Sequence, residues 1–157
     1  MSEEFPITDN PSRISSERIR FGFLLSAFGL LTMTVAAKPE WFNLNQSASV
    51  GFLQIAVFLI GLAITCVGGF IELAALWGQN ERSILADIGI RLISTGFVVA
   101  LFAGMADILG MTFQQAIKQP FFGHWQEAGM EVGMGIIMIG LLMLIPYKYL
   151  TNPKLNL

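Results

Sequence analysis

The sequence predicts an all-α integral membrane protein, with four transmembrane helices in an antiparallel bundle and both termini in the cytoplasm. Three observations predict it. Apolar stretches at 19–37, 48–77, 84–111 and 128–147 fill most of the 157 residues, and crossing a hydrocarbon layer as a helix takes about 20 apolar residues. The composition is 54% hydrophobic and 13% charged, whereas a soluble domain carries about 25% charge. The basic residues are also uneven: Arg13, Arg18, Arg20, Arg82, Arg91, Lys148 and Lys154 flank one side of the spans, while Lys38 and Lys118 flank the other. The positive-inside rule puts the crowded side, and with it both termini, in the cytoplasm. The expected location is a bacterial plasma membrane.

Residues 1–18 form a polar cytoplasmic arm with Pro6 and Pro11, suited to a partner surface. The first helix starts near Ser12, Ser15 or Ser16, residue types that cap helices. Val35 and Ala37 before Lys38 resemble a signal cleavage site, but the long, mixed-charge segment ahead of them argues for a retained helix. The first connection joins a helix-stopping Pro39 to Trp41 and Phe42, which suit the headgroup zone. The second, Gly78 to Ser83, is a tight turn that makes spans two and three a close hairpin, with Trp77 at its membrane boundary. In the third, Phe113 and Ile117 can lie on one face of a surface helix that Pro120 breaks. Trp125 there and Tyr147 after the fourth span complete the interfacial anchors. Residues 19–149 are thus the transmembrane domain and 150–157 a cytoplasmic tail. The two halves are both hairpins, yet no convincing sequence repeat relates them.

Helices in lipid associate through close packing, so small residues every fourth position mark contact faces. Span two offers Gly61, Thr65 and Gly69, span three offers Gly96, Ala100 and Gly104, and span four begins with Gly129 and Gly133. Cys66 is the single cysteine, which excludes an internal disulfide and a cysteine metal cluster.

Charges inside a membrane cost at least about 2.5–3.5 kcal/mol each, so their positions carry information. Glu72 near the cytoplasmic end of span two and Arg91 early in span three lie at similar depth, and they are expected to form a structural ion pair. At the opposite face, Asp107 is level with His124, Glu127 and Glu131, which share one helical face. Asp107, Glu127 and Glu131 could hold a divalent cation or exchange protons. His124, with Gln54 level with it, could bind a quinone or a pigment, although no motif requires a cofactor. The alternative for the whole group is a wetted outer interface. The sequence lacks Cys-x-x-Cys, Gly-x-Ser-x-Gly, a phosphate-binding glycine loop and His-Glu-x-x-His. It also lacks a basic tract for nucleic acid.

The function expected from these features is a non-catalytic accessory subunit of a larger membrane complex, such as an electron-transfer or photosynthetic one. Its partners would be other membrane subunits and lipids. Two alternatives are a small cation or proton carrier using the acidic group, and a cofactor-binding membrane protein centred on His124.

Overall fold

The computed structural model describes residues 16–38, 52–78, 82–106 and 124–147. They form four helices, α1 (Ser16–Ala37), α2 (Phe52–Leu76), α3 (Ile84–Gly104) and α4 (His124–Met143). All four are long and apolar enough to cross a membrane. Trp41, residues 1–15 of the arm, the tail, and residues 107–123, which hold Asp107 and most of the third connection, lie outside the described residues.

Local chemistry sets several helix ends. Gly78 follows α2 with φ at +55°, a conformation that costs a side-chain-bearing residue and that glycine adopts freely. The Ser83 hydroxyl caps α3 by accepting from the Ala86 amide at 3.2 Å, and Asp87 adds a negative charge in the positive first turn. Helix α4 begins at His124, one turn before the apolar run, with Glu127 in its first turn.

The tight pairs are α1 with α2 and α3 with α4, and the seam of each is backbone against backbone. A methyl group added at Gly29 would stand 2.6 Å from the Thr65 amide and 2.8 Å from the Gly61 carbonyl. One at Gly61 would stand 2.9 Å from the Met33 amide and 3.0 Å from the Gly29 carbonyl. Gly22 meets Glu72, and Gly68 meets Ser26 and the Gly22 carbonyl. The second pair repeats the arrangement. A methyl group at Gly96 falls 2.6 Å from the Gly133 carbonyl and one at Gly133 falls 2.7 Å from the Gly96 carbonyl, and Gly89 and Gly140 are related in the same way at 2.6 and 2.7 Å. Ordinary contact begins at 3.4 Å. Only glycine permits such approach, and close packing is what drives association in lipid, where hydrophobic exclusion is absent.

The packing rows therefore recur every seventh residue rather than every fourth. Gly61, Thr65, Gly96, Ala100 and Gly133 lie in them as the sequence suggests. Gly69 instead faces Leu141 of α4 at 3.1 Å, and Gly104 meets Ile55 and Leu59 of α2 and Met130 of α4, each at 3.3 Å. Spans two and three are not the close hairpin that their short turn suggests. Among the described residues only α2 touches the second hairpin, and α1 contacts neither α3 nor α4. At one end of the molecule the buried Trp77 indole donates to the Leu144 carbonyl at 2.8 Å, which ties α2 to the end of α4. Between these points a core gathers Leu62, Cys66, Ile93, Ala100 and Ile137.

The two hairpins are related by an internal repeat. Gly22 and Gly29 of α1 correspond to Gly89 and Gly96 of α3, and the same register aligns Ser16 with Ser83, Leu25 with Leu92 and Ala36 with Ala103. Gly61 and Gly68 of α2 correspond to Gly133 and Gly140 of α4, aligning Gln54 with Gln126, Ala56 with Ala128 and Ile64 with Ile136. The reciprocal glycine contacts fall at equivalent positions in both pairs.

Candidate functional site

The residues singled out by their polarity do not gather in one place. Gln54 is part-buried, and its Nε2 donates to the Ala36 carbonyl at 2.6 Å, clasping the end of α1 to the start of α2. The amide thus satisfies one of the free carbonyls at a helix C-terminus. It is a structural clasp, and its repeat equivalent on α4 is Gln126.

His124, Glu127 and Glu131 share one side of α4, as their spacing requires, and all three are exposed. The His124 ring makes an edge contact with Trp125, with centroids 6.4 Å apart. Among the described residues no group of three acidic, histidine or cysteine side chains could hold a metal ion. Asp107, the fourth member of the expected group, lies outside those residues.

Glu72 and Arg91 face different neighbours. The backbone and Cβ of Glu72 press against Gly22 of α1, whereas Arg91 reaches Asp87, one turn back on its own helix, at 3.3 Å, with both side chains mostly exposed. Equal depth brings two residues level but leaves their direction around each helix open. The repeat supplies a control: the position of Glu72 is held in the second hairpin by Leu144, which is fully buried. The fold therefore accepts an apolar side chain there.

The expected anchors also divide. Trp77 is 6% exposed and serves the contact between hairpins, while Trp125 is 87% exposed. Tyr147 is exposed and donates to the Leu142 carbonyl at 2.9 Å.

An open groove of about 350 Å³, which the sequence pattern does not announce, runs between α2 and α3. It is lined by Ala63, Cys66, Val67 and Phe70 on one wall and Ile90, Ile93, Ser94 and Phe97 on the other. The Arg82 guanidinium sits 5.8 Å from the centre of the Phe70 ring at one end, within the range of a cation–π contact. The groove marks where the hairpins meet loosely, since the seams lie on other sides of α2 and α3. Its walls come from the two helices at which the hairpins meet, so only the relation between hairpins reveals it.

No family model, curated protein or solved structure matches the chain.

Proposed function

We propose that the chain is a non-catalytic integral subunit of a larger membrane assembly, with its four spans in an antiparallel bundle and both termini in the cytoplasm. The observation that carries this reading is the way the interior and exterior are divided. Each hairpin is closed by direct backbone contact along its glycine seam, which leaves no width between paired helices for a solute. The outer surfaces are extensive and apolar: Phe21, Phe23, Leu24, Phe28, Leu30 and Leu31 on α1, and Val132, Met138, Ile139 and Leu142 on α4, are all more than half exposed.

These faces suit lipid and protein alike, but two details favour protein on α4. Glu131 is exposed on a helix apolar enough to span a membrane, and a carboxylate facing lipid tails is costly. Gly135 on the same helix has nothing within 4 Å, while the other helical glycines described all meet a neighbour. A small residue in open space permits a close approach by another helix.

The test is native mass spectrometry of the particle extracted from its own membrane in mild detergent. The subunit reading expects a mass well above the 17.2 kDa of one chain. A particle that holds this chain alone, as one copy or as several, contradicts it.

A further inference from the structure

We infer that the α4 face of one copy of this chain docks on the α1 face of a second copy, reproducing between molecules the contact that α2 makes with α3 inside one. The inference rests on the internal repeat and goes beyond the subunit reading, because it names the occupant of the open faces.

The internal contact is made by two different surfaces. The open groove at that contact is walled by Ala63, Cys66 and Phe70 on α2 and by Ile90, Ser94 and Phe97 on α3, among others. The repeat presents both surfaces a second time. The equivalents of the α2 set are Gly135, Met138 and Leu142 on α4, and those of the α3 set are Phe23, Ala27 and Leu30 on α1. All six are exposed, with Met138 at 64%, Phe23 at 59%, Leu142 at 53% and Leu30 at 52%; of the two remaining wall positions, Val67 matches the exposed Ile139 and Ile93 matches Ser26, which is half-buried. The molecule therefore ends, on its two sides, in the two halves of a contact that it already makes internally. A contact between unlike surfaces is heterologous, so copies joined this way form a ring or an open chain.

Charge supports the same occupant. Ile55 and Leu59 of α2 flank Gly104 of α3 at 3.3 Å. Their equivalents on α4 are Glu127 and Glu131, and the equivalent of Gly104 on α1 is Ala37, which Lys38 follows. Where the internal contact is apolar, the contact between copies brings two carboxylates beside a lysine. That accounts for acidic residues on an otherwise apolar helix face, since an opposite charge nearby offsets the cost of placing them there.

The test is cross-linking in native membranes in a Cys66→Ala background. Leu142→Cys and Phe23→Cys are placed together in one chain, and also separately in two co-expressed chains. Because α1 and α4 make no contact within a molecule, a cross-link must join two copies. The double variant is expected to give a ladder at multiples of 17.2 kDa, the co-expressed pair a dimer, and either variant expressed by itself only monomer. Met138→Cys with Ala27→Cys provides a second pair should the first disturb folding. Adding Glu131→Lys is expected to lower the yield several-fold, and Lys38→Glu to restore it.

Dimers from a single variant would show like surfaces meeting and overturn the inference. So would monomer throughout from protein that elutes as one sharp species. In that second case a heavy native particle containing other polypeptides would leave the subunit reading standing while removing this one.

Discussion

Replacing Gly133 by alanine should destabilise the protein, while the same change two residues further along α4, at Gly135, should not. At Gly133 the new methyl carbon would stand 2.7 Å from the Ala100 amide and the Gly96 carbonyl and 2.8 Å from the Ala100 Cβ. Two of these atoms belong to backbone and cannot rotate away. Helices α3 and α4 must therefore part by about 0.7 Å locally, the difference between 2.7 Å and the 3.4 Å at which ordinary contact begins. A gap of roughly that size forfeits a quarter to a half of the dispersion attraction along its lining, and overpacking of this kind costs about 1–3 kcal/mol. Alanine also favours the helix over glycine by about 1 kcal/mol, wherever in the helix it is placed. Within one chain Gly135 has nothing within 4 Å, so in the dispersed monomer it receives that gain without the clash, and comparing the two variants as monomers cancels the propensity term. The difference should be about 1–3 kcal/mol, each kcal/mol corresponding to about 2–4 °C in melting temperature for a chain of this size. Thermal unfolding of both variants in the same detergent measures it. Melting temperatures within about one degree of each other, or a higher value for Gly133→Ala, would refute the seam argument.

Trp77→Phe keeps an aromatic ring but removes the donor to the Leu144 carbonyl, so a buried acceptor is left unpaired and stability should fall by about 1–3 kcal/mol; an unchanged melting temperature would count against that contact. Gln54→Leu should cost about 1 kcal/mol by releasing the Ala36 carbonyl, and hydrogen exchange should rise at the end of α1 rather than throughout; uniform exchange would argue against a local clasp. Glu72→Leu should be neutral or stabilising in thermal unfolding, since Leu144 fills the equivalent place, whereas a loss comparable with that of Trp77→Phe would show that Glu72 holds an ion pair.

The spans are legible because an uninterrupted apolar run of membrane length is rare outside a bilayer-crossing helix. The start of α4 is less so. His124 to Glu127 is polar enough to pass for a loop, yet its acidic residue suits the first turn of a helix. Which helices pair is harder to see, because the length of a turn does not decide it: α2 and α3 are joined by a short connection but zip to other partners. Small residues at intervals of four pick out Gly61, Gly96 and Gly133 but pass over Gly22, Gly29, Gly68, Gly89 and Gly140. Those glycines stand out only when the interval is seven, the spacing that keeps one face turned to a closely paired neighbour. The repeat is hidden for the same reason, since its identical residues outside the glycines are scattered. Depth counting in the sequence cannot give the direction of Glu72 or Arg91 around the helix axis. Trp77 carries no mark distinguishing a surface anchor from a buried donor, because both uses suit an amphipathic ring.

The glycine seam closes each hairpin, and disulfide formation across it tests that close approach most directly. Met33 and Thr65 meet across the α1–α2 seam, with the Thr65 hydroxyl 3.8 Å from the Met33 sulfur. In a Cys66→Ala background, Met33→Cys with Thr65→Cys should oxidise rapidly in membranes to a bond within one chain, detected as a faster-migrating monomer that reductant reverses. Two thiols that stay free under the same oxidant, or that join only different chains, would contradict the account.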